Sequence, residues 1–174
     1  MWRKYAFYIF TVALLLTALV LIPGVGQEHG GARRWLDIFG FSFQPAEFLK
    51  IAFIIYFATW LSGIKDKVAT FKFGLLPFLI LVGVVGAILL SQPDTDTFGV
   101  IVLSGIAMYL SAGGRWKDIA ILFLAGIIAF GALAYSRPYL MERVLTFMNP
   151  AADPLGSGYQ VQQSLIAIGS GQVF

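Results

Sequence analysis

Residues Tyr5–Ile22 form an eighteen-residue run without a single charge, and further stretches of the chain repeat the pattern. About 20 apolar residues cross a bilayer core, and roughly 17 suffice. Four more such segments follow: Phe48–Leu61, interrupted only by Lys50, then Gly74–Leu90, Phe98–Ala112 and Ile119–Tyr135. In lipid every backbone polar group must be bonded within its own segment, so all five are expected to be helices. The expected architecture is all-α: a polytopic bundle with spans at about 5–22, 44–61, 74–90, 98–112 and 119–135. Only 12% of the residues are charged, half the share usual in a soluble domain. A lipid solvent accounts for the deficit. With no cysteine, a disulfide framework and a thiolate metal site are both excluded.

The basic start Arg3-Lys4 before an apolar run resembles a signal peptide, but Tyr5–Ile22 exceeds a normal h-region and no small-residue cleavage site follows. Connector charge gives the orientation. Arg3, Lys4, Lys65, Lys67, Lys72, Arg115 and Lys117 lie on one side with Asp66 and Asp118. The other side carries Glu28, Asp37, Glu47, Asp94, Asp96, Glu142 and Asp153 against five basic residues. The positive-inside rule puts the N-terminus in the cytoplasm. The net charge of +3 follows this topology and is no sign of nucleic-acid binding. The division expected is a bundle portion over 1–135 and an outward-facing tail over 136–174. In that tail Leu140–Met148 can form an amphipathic helix, Asn149–Gly158 is rich in turn formers, and Tyr159–Ile168 can form a second helix. The end, Gly169-Ser170-Gly171-Gln172-Val173-Phe174, has no polar closing segment, and five helices are expected to be part of a larger bundle.

Charges at membrane depth are costly and mark functional candidates. Glu47 and Lys50 are three apart and share a helix face. They can form a mutual ion pair, line a polar cavity, or both. Arg33-Arg34-Trp35 reads either as an interfacial anchor or as a diphosphate-binding fork. Gln92-Pro93-Asp94-Thr95-Asp96-Thr97 reads as a helix-capping turn, and a divalent-metal role would need more ligands. By spacing alone Asp153, between two proline turns, is an Asx turn before Pro154. His29 is the only histidine and no zinc pattern surrounds it.

Three stretches taken together resemble one family. Gly31-Ala32-Arg33-Arg34-Trp35-Leu36-Asp37, then Gln44-Pro45-Ala46-Glu47-Phe48-Leu49-Lys50, then Gln92-Pro93-Asp94 follow the order and spacing of the motifs of the SEDS family (shape, elongation, division and sporulation). The stretch Asn149-Pro150-Ala151-Ala152-Asp153-Pro154-Leu155-Gly156-Ser157-Gly158-Tyr159-Gln160, continuing through Gln163-Ser164 and Ala167-Ile168-Gly169-Ser170-Gly171, resembles the family's large outer loop. Gly156-Ser157-Gly158-Tyr159-Gln160 is closer to the division branch, FtsW, than to RodA. Thr95-Asp96 departs from the family, which more often has Leu-Gly there.

The resemblance implies a bundle of about ten helices, of which this chain would supply the third to seventh. It also implies a peptidoglycan glycosyltransferase that polymerises lipid II, releases undecaprenyl diphosphate, and works beside a class B penicillin-binding protein and other membrane proteins of the division machinery. The alternatives are a lipid II flippase and a non-catalytic scaffold. Asp153 matches the family's outer-loop aspartate, and the resemblance turns it from an Asx turn into the expected catalytic residue. A carboxylate of ordinary pKa, about 3.9, is a weak base at neutral pH. Asp153 must therefore be desolvated, or bind a divalent cation such as magnesium or manganese that acidifies the hydroxyl. Arg34, Lys50 and Arg33 are expected to bind diphosphate, Glu47 to orient Lys50, and Gln160 and Ser164 to contact substrate. The 174-residue segment alone is expected to be inactive.

Overall fold

The computed structural model describes residues 2–29, 32–38, 41–136, 138–149, 156 and 158–171. Helices dominate, as the apolar runs require. They are α1 (Trp2–Leu19), α2 (Pro45–Ile64), α3 (Leu76–Ser91), α4 (Thr95–Ser111), α5 (Trp116–Ser136), α6 (Pro138–Met148) and α7 (Tyr159–Ser170). Among the described residues three helical stretches, Trp2–Leu19, Pro45–Lys67 and Phe71–Ser91, are long and apolar enough to cross a membrane, and Thr95–Ser111 is a shorter apolar helix.

The ends of these helices follow local chemistry. Pro45 opens α2, where its missing N–H has no partner to lose. A 3-10 turn, Lys65–Lys67, prolongs α2, and a π-helical turn, Phe71–Leu75, leads into α3. The third span therefore starts three residues earlier than the apolar run alone indicates. The first ends at Leu19 rather than Ile22, where the chain turns toward Gly26.

An all-helical reading does not anticipate the connector between α1 and α2. It folds into a three-stranded antiparallel sheet, β1 (Gly26–His29), β2 (Ala32–Ile38) and β3 (Phe41–Phe43), in that order. Its register pairs Gly26 with Leu36 and Leu36 with Phe43, with a bulge at Gln27/Glu28. The strands are too short and too mixed in polarity to announce themselves. Leu36 is buried, whereas Phe41 is almost wholly exposed.

The chain divides into two compact units, Met1–Ile119 and Ala120–Phe174, the division falling within α5. The core of the first is aromatic. Phe10 of α1, Phe53 and Phe57 of α2, Phe78 of α3 and Tyr109 of α4 form a continuous line, with successive ring centroids 6.5, 5.7, 5.2 and 6.1 Å apart. All five rings are buried. Ring pairs of this kind add about 0.5–1.5 kcal/mol each beyond area burial. Large apolar side chains such as Leu15, Ile51, Ile80 and Leu103 are more than half exposed. That would be an aggregation hazard in water, and it is ordinary for a lipid-facing surface.

Gly105 lets α4 approach this line. A Cβ there would lie 2.4 Å from Cε2 of Phe78 and 3.3 Å from Cε1 of Phe53. Phe78 is stacked between Phe57 and Tyr109 and has no room to withdraw. Gly105→Ala is therefore expected to destabilise the bundle by about 1–3 kcal/mol, the usual cost of overpacking, seen as a lower thermal midpoint in detergent.

The line ends on a polar latch. The Tyr109 hydroxyl donates to Asp118 Oδ2 at 2.9 Å, and Arg115 binds both carboxylate oxygens at 3.0 Å. Burial pushes the Asp118 carboxyl up, but the hydrogen bonds from Arg115 and Tyr109 outweigh it and hold the group below the ordinary carboxylate range. The latch is thus at full strength above that range and weakens as pH falls through the lowered value.

In the second unit α6 and α7 are helices, as the tail's patterning predicts. Ser164 donates its hydroxyl to the Gln160 carbonyl at 2.9 Å, and both residues are exposed.

Candidate functional site

At the end of the first unit where α1 and α3 finish and α2 and α4 begin, three sequence motifs meet. The meeting point is the Asp94 carboxylate, which is 2% exposed. In keeping with the capping reading, Asp94 is the N-cap of α4 and accepts from the Thr97 backbone N–H at 3.4 Å. The same carboxylate accepts from Gln44 Nε2 at 3.5 Å and lies 3.8 Å from Arg34 Nη1. Gln44 is the N-cap of α2 and Arg34 stands on β2. The acidic turn therefore does more than cap a helix: it ties the sheet to the starts of two helices.

Arg34 is held firmly. Its Nε donates to the Gln92 carbonyl at 3.2 Å and its Nη2 to the Pro93 carbonyl. These two carbonyls lie at and just beyond the C-cap of α3, where no helical N–H follows to bond them, and they are open to the guanidinium. Gln92 itself is 1% exposed and donates Nε2 to the Thr17 carbonyl of α1 at 2.6 Å. The Thr17 hydroxyl donates to the Ala13 carbonyl at 2.7 Å, and as α1 ends the Leu21 N–H turns to the Ala18 carbonyl at 3.0 Å, so the Thr17 carbonyl is open to Gln92. Every buried side-chain polar atom among the described residues has a partner, as a low-dielectric interior demands.

Glu47 and Lys50 continue from this cluster along α2. Lys50 Nζ lies 2.8 Å from Glu47 Oε1, with the lysine side chain 27% and the glutamate 57% exposed. The expected ion pair is present. Glu47 lies in the first turn of α2 and its backbone N–H bonds the Gln44 carbonyl at 3.1 Å. A carboxylate at a helix N-terminus is favoured by the macrodipole. The lysine is the more buried member and the glutamate the more exposed, so the ammonium is partly sheltered and held in place by its carboxylate.

Strand alternation puts Arg33 on the face of β2 opposite Arg34, and it is exposed. Gln160 and Ser164 belong to the second unit. Asp153 lies outside the described residues. Sequence reasoning does not join Gln44, Gln92 and Asp94 into one site. Their signal is the pair of Gln-Pro dipeptides, one at the start of α2 and one between the end of α3 and the start of α4, where a glutamine can reach a neighbouring element. Among the described residues no three His, Cys, Asp or Glu side chains come together.

Comparison with known proteins agrees with the motifs. The chain is 39% identical over 173 residues to stage V sporulation protein E of Bacillus subtilis, covering 99% of this chain and 47% of that protein. It is 40% identical over 172 residues to the probable peptidoglycan glycosyltransferase FtsW of Geobacter sulfurreducens, covering 99% and 46%. The chain thus spans about half the length of the curated relatives it matches. Its structure matches a chain of a peptidoglycan synthase complex that coordinates polymerization and crosslinking, with TM-score 0.77 and 32% identity over 99% of this chain and 50% of that one. It also matches the rod shape determining protein RodA of Thermus thermophilus, with TM-score 0.57 and 29% identity over 72% and 41%. The FtsW/RodA/SpoVE cell cycle protein model matches residues 1–174; the chain is a multi-pass membrane segment belonging to that family.

Proposed function

We propose that this chain is the part of a peptidoglycan glycosyltransferase that holds the lipid-linked diphosphate and carries the base. The observation that carries the reading is the half-buried Lys50 paired with Glu47, one turn beyond a braced polar cluster. It is supported by relatives named as probable peptidoglycan glycosyltransferases. The substrate is lipid II, and growth occurs during division at the bacterial inner membrane. The N-terminus is cytoplasmic, residues 136–174 are extracytoplasmic, and a class B penicillin-binding protein works alongside.

The 4-hydroxyl oxygen of one sugar attacks the anomeric carbon of another. The bond from that carbon to the diphosphate oxygen breaks, and undecaprenyl diphosphate leaves. The α-linked donor becomes a β-linkage in a single inverting displacement. Asp153 accepts the hydroxyl proton, which requires either a desolvated carboxylate of raised pKa or a divalent cation that would acidify the hydroxyl. Lys50 offsets the charge growing on the diphosphate, with Glu47 fixing its position. Arg34 spends most of its fork on the Gln92–Asp94 turn and braces the site; its remaining N–H groups, with Arg33, Gln160 and Ser164, complete the proposed substrate contacts.

The test is polymerisation of purified lipid II by the complete protein. Lys50→Met is expected to lower kcat about 10²-fold, in the range of removing one charge-stabilising donor. Glu47→Gln, which releases the lysine without removing it, is expected to cost about tenfold. Lipid II movement across vesicles without polymer, dominated by Glu47 and Lys50 and indifferent to Asp153, would establish a transporter instead. Partner binding that survives loss of all three, with neither activity, would establish a scaffold.

A further inference from the structure

The opposite end of the first unit carries a surface that the polymerase reading does not use. Between α2 and α3 the chain presents Lys65, Lys67 and Lys72 with a single carboxylate, Asp66, all exposed. Arg3 of α1 reaches the same end, its Nη2 3.7 Å from where a Cβ on Gly63 would sit. Lys67 and Lys72 do not wander separately. Their ammonium groups lie 5.2 and 5.6 Å from the centroid of one ring, Phe73, within cation–π range.

The loop that carries them is built, not slack. Val68 is 2% exposed and anchors its middle. Gly74 passes beneath it so closely that a Cβ would fall on the Val68 carbonyl oxygen. The Thr70 hydroxyl donates to the Lys67 carbonyl at 2.6 Å, and Trp60 Nε1 donates to the Phe73 carbonyl at 3.1 Å. Lys65 takes a positive φ of 38°, which a non-glycine residue adopts only when its surroundings impose it. Phe71 is 55% exposed beside the lysines.

A fixed pair of ammonium groups over one ring, flanked by an exposed phenylalanine at the end of two membrane-length helices, matches an interfacial anion with an acyl chain below it. We propose that the Lys65–Phe73 loop is a binding surface for anionic phospholipid headgroups, with Lys67 and Lys72 on the phosphate and Phe71 among the acyl chains. Charge complementarity selects this occupant, since a zwitterionic headgroup gains little from two added cations. The inference holds whichever leaflet this end faces and whatever the chain catalyses.

The complete protein in nanodiscs of equimolar phosphatidylglycerol and phosphatidylcholine, followed by native mass spectrometry, counts the lipids retained. Phosphatidylglycerol is expected to be retained preferentially. Lys67→Gln and Lys72→Gln should each weaken that retention about fivefold, the usual effect of one cation at an anionic surface. Phe73→Leu, which keeps both charges but removes the ring, should weaken it about two- to fivefold. Lys117→Gln, removing one charge elsewhere, should change it less than about twofold. Equal retention of the two lipids overturns the proposal. So does an equal loss with Lys117→Gln, which would reduce the effect to bulk charge, and so does displacement of the lipid by an acidic peptide, which would assign the surface to a protein. Unchanged thermal midpoints of the variants in neutral detergent exclude a folding artefact.

Discussion

Asp153→Asn in the complete protein is expected to abolish lipid II polymerisation while leaving the fold intact. Asparagine has nearly the same shape, and it retains an acceptor for an Asx turn before Pro154. What it lacks is a carboxylate able to take a proton. A positioned general base contributes about 10²–10⁴-fold, so kcat should fall by at least 10² with substrate binding little changed. Two measurements separate chemistry from structure: single-turnover formation of the first glycosidic bond, and the thermal midpoint. A loss of polymer with an unchanged midpoint fits a base. Full activity in Asp153→Asn would end the proposed role, and a collapsed midpoint would return the residue to its turn. The pH profile adds a sign. If Asp153 acts ionised, kcat/KM rises with pH through its pKa and then levels, and Asp153→Glu should keep that shape at reduced rate.

Much of the bundle is legible in the order of apolar and polar residues, because lipid leaves the backbone few choices. Tyr5–Leu19 and Leu76–Leu90 are helices for the reason given by hydropathy alone. Their ends are less legible, because ends are decided by turn chemistry rather than by hydropathy. Phe71-Lys72-Phe73 enters the third helical stretch through a π turn anchored by buried Val68, and no apolar pattern encodes that. The sheet over 26–43 is hidden for a different reason. Its strands pair mainly with one another, so only scattered positions such as Leu36 are buried, and the period-two signal never forms.

The site is legible in pieces. Glu47 and Lys50 are three apart on one helix, and a local rule suffices to pair them. Arg34 and Asp94 are sixty positions apart, and only the packing of β2 against the two helix starts brings them together. Spacing makes Asp94 a cap and Arg34 a ligand, whereas the fold gives each the other. The family motifs carry that information implicitly, since Arg34, Gln44 and Asp94 stand in three motifs whose side chains meet at one carboxylate.

Asp94→Ala should therefore be the most destabilising substitution in this cluster. Removing one partner of a fully buried pair costs about 3–5 kcal/mol. Here the contacts to Asp94 are long, Arg34 is 22% exposed, and it keeps two carbonyl acceptors, so the electrostatic share is smaller. Loss of the α4 cap adds about 1 kcal/mol, and the expected total is about 2–3 kcal/mol. Asp94→Asn keeps an acceptor for Thr97 and loses only the charge, so about 1 kcal/mol is expected. Arg34→Lys replaces a fork by a point charge that cannot reach both carbonyls, and should lie between the two. The decisive comparison is a double-mutant cycle of Arg34→Met with Asp94→Ala, read as thermal or denaturant midpoints in detergent. A coupling of about 1 kcal/mol or more means the two residues act as one brace, and the single losses do not add. Strict additivity would mean that Asp94 works only as a helix cap and that Arg34 is held by carbonyls alone. The sheet would then be fastened to the bundle by those carbonyls and by backbone geometry, not by the Arg34–Asp94 pair.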